Sequence, residues 1–280
     1  LSFSGTDTIP AISLLENYYN ANSDNELIGG SVAATEHSVM CMGTIEDEIG
    51  TFKRLICEVY PKGIVSIVSD TWDLWKVLTE YLPKLKNEVL NREGKVVIRP
   101  DSGDPVDIIC GNPNGKNDNE KKGVIELLWE TFGGTTNTKG FKELDPHIGA
   151  IYGDSITVAR ATLICERLKQ KGFASTNVVL GIGSYTYQYN TRDTFGFAMK
   201  ATYGEVNEQG REIFKDPITD DGTKKSAKGL MKIEIENGVY KLTDQATWEQ
   251  EKQGELKEVF RDGKLLIDQT LYEIRKRVKA

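Results

Sequence analysis

Four short, strongly β-forming apolar runs, each followed at once by polar or small residues, constrain this chain more than any other feature. Residues 64–68 (IVSIV) run into Ser69-Asp70, and residues 96–98 (VVI) into Arg99-Pro100-Asp101-Ser102-Gly103. Residues 148–152 (IGAIY) run into Gly153-Asp154-Ser155, and residues 178–180 (VVL) into Gly181-Ile182-Gly183-Ser184. Apolar runs without alternation mark strands covered on both faces. Helical spacing separates them. Residues 46–59 carry Ile49, Phe52, Leu55, Ile56 and Val59 on one stripe, and residues 72–82, 124–132 and 157–171 also read as helices. Pro10 opens a further helix over 10–19. Alternating strand and helix predict an α/β fold with a parallel sheet, closed into a barrel or doubly wound. In both, ligands sit at the C-terminal ends of the strands, where these four polar segments lie.

Residues 111–122 (GNPNGKNDNEKK) read as a surface loop. Beyond about residue 200 the texture changes. Residues 212–229 form a charged loop, residues 231–242 a hairpin around Asn237-Gly238, residues 259–267 another around Asp262-Gly263, and residues 270–278 an amphipathic helix. The expected division is a catalytic α/β region over 1–200 and a C-terminal region over 201–280 packing on it. With 39% hydrophobic and 28% charged residues the chain is globular. No apolar run approaches the roughly 18 residues of a membrane helix. A net charge of −7 makes nucleic acid an unexpected partner. Cys41, Cys57, Cys110 and Cys165 form no CxxC pair, and there are two histidines, so neither structural zinc nor a disulfide framework is expected. A reduced, cytoplasmic compartment suits them. The chain opens at Leu1-Ser2-Phe3 with no initiator Met and no signal peptide, and is expected to be part of a longer polypeptide.

The polar segments carry recognisable chemistry. Arg99 and Asp101 stand two residues apart at a strand end. They suit a guanidinium clamp on phosphate beside a carboxylate for a sugar hydroxyl or metal-bound water, or an ion pair closing a turn. Gly153-Asp154 suits close backbone approach with a ribose-holding carboxylate, or a helix cap by Asp154 or Ser155. Gly181 to Ser184 suits a phosphate cradle of backbone N–H groups, or a plain strand-to-helix turn. Arg192 and Lys200 lie downstream as candidate cations. His37 beside Glu36 is a structural histidine or a carboxylate-tuned nucleophile. Asp7, Asp70, Asp73 and Asp101 together suit magnesium or sugar, and singly suit caps and turns.

GTDT (5–8), SVAATEHS (31–38), VSIVSDTWD (65–73), IRPDSGDP (98–105), YGDSI (152–156), GIGSYTYQYNTRDTFGFAMKAT (181–202) and FKDP (214–217) occur in this order. In this the chain resembles the nicotinamide phosphoribosyltransferase family in its bacterial or phage-like form, from Gly5 essentially to the C-terminus. The resemblance implies an irregular α/β barrel of the type II phosphoribosyltransferase kind, with part of an additional β-rich domain. It implies a homodimer with interface active sites, and nicotinamide, phosphoribosyl pyrophosphate and ATP as ligands with Mg2+. Asp7 would accept the nicotinamide amide, with Ser66 near the ring. Arg99 and Asp101 would serve the phosphoribosyl group and metal. Asp70 joins the substrate-binding set, Gly153 and Asp154 hold the ribose, and Gly183 and Ser184 hold the 5′-phosphate. Arg192, Lys200 and Lys215 bind substrate phosphates, and His37 is the residue phosphorylated by ATP. Ser184 stands where many animal members have glycine. An N-terminal segment of the family, supplying the aromatic sandwich for the ring, is expected outside this chain. The alternatives are nicotinate phosphoribosyltransferase, against which Asp7 argues by charge, and a non-catalytic binding or regulatory module.

Overall fold

The structure is a computed structural model that describes residues 10–153, 155–183, 199–216, 218–219 and 226–278. The described residues fall into two compact units. One comprises those up to Ala201 together with those from Phe214 to Ser226, and the other those of Thr202–Ile213 and from Ala227 onward. A single cut near residue 200 therefore misses the return of Phe214–Ser226 to the first unit.

The first unit is built on five parallel strands. They are β1 (Ala33–Ala34), β2 (Val65–Val68), β3 (Val96–Arg99), β6 (Ile148–Tyr152) and β7 (Val178–Leu180), and a hairpin of β4 (Gly134–Thr136) and β5 (Lys142–Leu144) intervenes. The sheet order is β1-β2-β3-β6-β7. Each parallel strand lies beside its predecessor, the singly wound order of α/β barrels, whereas doubly wound sheets reverse. Among the described residues the sheet does not close on itself. Register runs Val65↔Val96 through Val68↔Arg99 between β2 and β3. Val65, Ile67, Val68, Val96 and Ile98 are wholly buried, as unbroken apolar runs require. β1 has two residues, too few to read from periodicity.

Helices cover the strands. The expected helix over 46–59 is an α-helix over Glu48–Arg54 that widens into a π turn over Leu55–Val59. Phe52, Leu55 and Ile56 are buried as the stripe predicts, but Val59 is exposed. Arg92 takes up carbonyls at this end, donating to Ile56 O (3.1 Å), Tyr60 O (3.0 Å) and Gly63 O (2.8 Å). The stretch 72–82 likewise runs through Leu74–Lys76, a π turn over Val77–Tyr81, and Leu82–Lys84. Part of the polar stretch 111–122 is helical after all. Helix Asp118–Phe132 starts there, capped by Asn117, and breaks at Gly123. Helix Val158–Gln170 is capped by Thr157, whose hydroxyl accepts from Arg160 N, so the cap does not fall to Ser155, and Asp154 lies outside the described residues.

The second unit is a set of hairpins. β8 (Tyr203–Val206) pairs with β9 (Gln209–Glu212), β10 (Lys232–Glu236) with β11 (Val239–Thr243), and β12 (Phe260–Arg261) with β13 (Lys264–Leu265). The last two turn at Asn237-Gly238 and Asp262-Gly263, all four residues with positive φ, as two-residue turns matched to strand twist demand. Short helices Trp248–Glu251 and Leu271–Val278 complete it. Among the described residues no helix is long and apolar enough to cross a membrane.

Candidate functional site

The C-terminal ends of β1, β2 and β3 are tied to one another before any side chain is considered for chemistry. Thr35, after β1, donates its N–H to Ser66 O (2.9 Å), and its hydroxyl accepts from Val68 N (2.9 Å). Its carbonyl accepts from Arg99 Nη2 (2.6 Å). Ser69 N donates to Arg99 O (3.0 Å). His37, Asp70, Arg99 and Asp101 therefore leave from neighbouring strand ends.

The stretch Arg99 to Pro105 divides its labour residue by residue. Arg99 pairs with Glu36 (3.4 Å) besides bonding Thr35, so its ion pair does not close its own turn. Asp101 Oδ2 lies 3.4 Å from His37 Nε2 and 3.5 Å from Lys215 Nζ. Ser102 Oγ donates to Asp70 Oδ2 (2.5 Å). Gly103 takes φ +83°, a conformation that favours glycine. Asp104 accepts from Val106 N (2.9 Å) and Asp107 N (3.2 Å), and Pro105 occupies the first turn of helix Pro105–Cys110. Two of these residues face the site, and the rest build the turn and launch the helix.

His37 opens helix His37–Gly43 and is held at both ring nitrogens. Nδ1 lies 3.1 Å from Thr71 Oγ1. Nε2 faces Asp101 Oδ2 at 3.4 Å and Asp70 Oδ1 at 3.9 Å. A carboxylate only accepts, so this setting favours the proton on Nε2 and the lone pair on Nδ1, with the Thr71 hydroxyl donating to it. Asp70 is wholly buried. Its Oδ2 accepts from Asp101 N (2.8 Å) as well as from Ser102, while its Oδ1 has no hydrogen-bond partner among the described residues. Asp70 is thus a buried acid behind His37 rather than a turn residue. Asp73 is a helix cap, accepting from Lys76 N (3.1 Å). Ser66 is buried in β2 with its Oγ unpartnered among the described residues.

At the ends of β6 and β7 the described residues are mainly glycines. Gly181 N donates to Tyr152 O (2.8 Å), which lays the two glycine loops side by side. A Cβ on Gly181 would come within 2.6 Å of the Gly153 backbone, whereas a Cβ on Gly153 or Gly183 would meet nothing within 4 Å among the described residues. Gly181 is therefore the glycine of these loops that the described neighbours require sterically. Tyr152 OH donates to Gly103 O (2.8 Å), joining this pair of loops to the β3 turn. Lys200 is exposed. Asp7, Asp154, Ser184 and Arg192 lie outside the described residues.

Several participants are invisible to motif reading. Thr71, Ser102 and Thr35 stand beside singled-out residues and had a positional signal. Thr219, whose hydroxyl contacts that of Ser102, had none. Neither had Glu48, the first residue of its helix, which is 2% exposed. Burial first, then Asp73 and Asp70, push its carboxyl up to about 8, against the pull of Lys76. Burial likewise pushes up the Cys41 thiol, which donates to Phe214 O (2.8 Å).

A histidine set against two carboxylates, with a lysine alongside and two glycine loops on the same sheet edge, makes up a class of site that holds phosphorylated ligands at strand ends. Comparison with known proteins narrows that class. The model of the nicotinate phosphoribosyltransferase (NAPRTase) family matches residues 1–264, and the chain belongs to this family. The nicotinamide phosphoribosyltransferase of Acinetobacter baylyi is 57% identical over 284 residues, covering 99% of this chain and 56% of its own length. That of Mycoplasma pneumoniae is 45% identical over 216 residues, 75% of this chain and 47% of its own. That of Xanthomonas campestris is 32% identical over 287 residues, 100% of this chain and 58% of its own. The chain spans about half the length of these curated relatives. The resemblance read from the motifs agrees with these matches.

Proposed function

We propose that the protein carrying this chain transfers the phosphoribosyl group of phosphoribosyl pyrophosphate to nicotinamide, releasing pyrophosphate and forming nicotinamide mononucleotide in NAD salvage. The observation that carries the reading is His37 held between Thr71 and the Asp70–Asp101 pair at the strand ends, in a chain so close to relatives of that name. His37 accepts the γ-phosphoryl group of ATP. The Thr71 hydroxyl turns away from Nδ1, the freed lone pair forms the N–P bond, the bond from phosphorus to the bridging oxygen breaks, and ADP leaves. The Nε2 proton stays beside the carboxylates, which stabilise the positive ring. Phosphohistidine next to the site couples ATP hydrolysis to product formation.

Arg99 and Lys215 hold phosphoribosyl and pyrophosphate oxygens, and exchange their present partners Glu36 and Asp101 for them. The glycine loops after β6 and β7 present backbone N–H groups to the 5′-phosphate, with Asp154 on the ribose and Ser184, Arg192 and Lys200 on phosphates. Ser66, whose buried Oγ lacks a partner, offers a hydrogen bond to the base, and Asp7 accepts from its amide. As the glycosidic bond breaks, positive charge grows at the anomeric carbon and negative charge on pyrophosphate. Alignment and cations do most of the work. Among the described residues no cluster of three or more metal-ligating side chains occurs. The hard carboxylate oxygens of Asp101, which is partly exposed, nevertheless suit Mg2+, which is held by one or two carboxylates with substrate phosphates and waters. Bound there it neutralises the charge of pyrophosphate. The working form is a homodimer.

The test is direct. Incubation of the full-length protein with phosphoribosyl pyrophosphate and nicotinamide, with and without ATP, should yield nicotinamide mononucleotide, faster with ATP, and acid-labile phosphate on His37. Asp7→Ser should shift the ratio of specificity constants toward nicotinate, since it removes a like-charge repulsion. Product from nicotinate alone, or none at all, overturns the reading.

A further inference from the structure

Ser102 and Thr219 stand in line behind Asp70. A serine hydroxyl has one proton. Ser102 gives it to Asp70 Oδ2 (2.5 Å), so in its short contact with Thr219 Oγ1 the threonine is the donor. The line runs from Thr219 through Ser102 to Asp70. Oδ2 also accepts from Asp101 N (2.8 Å), and the opposite oxygen, Oδ1, faces His37 Nε2 at 3.9 Å. The carboxylate cannot turn about its Cβ–Cγ bond without breaking both bonds on Oδ2. Its full burial leaves no bulk water to replace them. Thr219 is itself fastened. The neighbouring Ile218 N donates to Trp72 O (3.1 Å), two residues beyond Asp70. Earlier in the same stretch, Phe214 O accepts from Cys41 Sγ (2.8 Å) on the helix that His37 opens.

We infer that Ser102 and Thr219 are positioning residues for phosphorylation of His37. Their two hydroxyls lock Asp70 with Oδ1 3.9 Å from Nε2, so that its charge adds to that of Asp101 at 3.4 Å, favours the ring proton on Nε2 and leaves the Nδ1 lone pair for the phosphoryl donor. Neither touches substrate. Hydrogen bonds in such a chain polarise one another, so loss of the outer hydroxyl is felt at the inner carboxylate. Thr219 belongs to no strand or helix and lies 117 residues from Ser102, which explains why no local pattern marks it.

This inference rests on the proposed function, and the experiment keeps the two apart. In the full-length enzyme, single-turnover phosphorylation by γ-labelled ATP is compared among wild type, Thr219→Val, Thr219→Ser and Ser102→Ala, alongside ATP-independent mononucleotide synthesis and thermal melting. Thr219→Val should slow phosphohistidine formation about three- to tenfold, the worth of one hydrogen bond, and leave the KM for ATP within about twofold. Thr219→Ser should restore the rate. Ser102→Ala should slow it further. The ATP-independent reaction, which bypasses His37, should hold near its wild-type rate in Thr219→Val. Unchanged phosphorylation in Thr219→Val overturns the inference. So does a parallel fall in both reactions, which marks a purely structural stretch. Should Thr219→Val fold poorly, Thr219→Ala removes the same hydroxyl without added bulk and is read in the same way. A wild type that forms no phosphohistidine overturns the underlying reading and the inference with it.

Discussion

The ends of β1, β2 and β3 and the ends of β6 and β7 belong to one sheet edge, and among the described residues they are built differently. The first group is dense with side chains that hold one another. His37 meets Thr71, Asp70 and Asp101, Asp70 accepts twice on one oxygen, and Arg99 is anchored on Thr35 and Glu36. Among the described residues the second group consists of two glycine loops laid together, and a Cβ on Gly153 or Gly183 would meet none of the described atoms. Charge handling needs groups fixed in advance, because reorganising dipoles during reaction wastes their effect. A phosphate cradle needs room for the ligand to approach bare N–H groups. On the proposed function, the side chains that hold one another manage charge, and the paired glycine loops receive the ligand.

The largest expected effect lies at the crowded end. His37→Ala should abolish phosphohistidine formation and ATP hydrolysis while slow, ATP-independent mononucleotide synthesis persists. Acid-quenched labelling and product chromatography read both. ATP consumption at the normal rate would return His37 to a structural role. Arg99→Lys should lose about 2–4 kcal/mol of transition-state stabilisation with little change in melting, since an ammonium cannot reproduce a planar two-bond clamp. Near-normal kcat/KM would remove Arg99 from the site.

Behind the crowded end, Glu48 makes a stability prediction with a definite sign. Its carboxyl titrates at about 8 in the folded chain, well above its ordinary value of 4.5. The native state therefore binds the proton more tightly. The contribution is complete below about pH 4.5 and is lost as pH rises through 8. Glu48→Gln, which cannot ionise, should grow more stable than wild type across that window by on the order of a few kcal/mol, and the gap should level off above it. Denaturant unfolding at several pH values measures the gap. A gap that does not change with pH would show that Glu48 ionises freely.

The smallest effects lie at the glycine loops and sharpen the contrast most. Gly181→Ala sets a Cβ against the Gly153 backbone and should cost about 1–3 kcal/mol, with a raised KM for phosphoribosyl pyrophosphate. A Cβ on Gly183 meets none of the described atoms, so Gly183→Ala should leave melting unchanged. Equal melting of the two variants would mean that the loops are not held together as described.

Local chemistry was legible in proportion to how local it is. β6 follows its apolar run residue for residue, because burial on both faces imposes an unbroken apolar run on the chain itself; β7 also matches its run although Val179 is exposed, and helix Pro10–Tyr19 matches its spacing although none of its residues is buried. The turns at Asn237-Gly238 and Asp262-Gly263 were readable because positive φ selects those residues. The hairpin of β8 and β9, turning at Asn207-Glu208, carries no such pair and was missed. The π turns, the two-residue β1 and the helix start within 111–122 were missed as well, since each depends on neighbours packed from elsewhere.

For the site, the sequence by itself determined which residues follow the four apolar runs, Asp70, Arg99, Asp101, Gly153 and Gly183 among them, whereas the two-residue β1 that places His37 beside them is seen only in the fold. A run of buried strand must end where polar residues begin. Only the tertiary structure decided what each of them does there. It set Asp70 inside and Asp101 at the mouth, paired Arg99 with Glu36, made Gly181 the constrained glycine, and brought Thr219 across 117 residues to Ser102. The reason is physical. Periodicity records which side of an element faces the core, whereas a hydrogen bond or a steric clash records which two elements meet, and no single stretch of chain carries that.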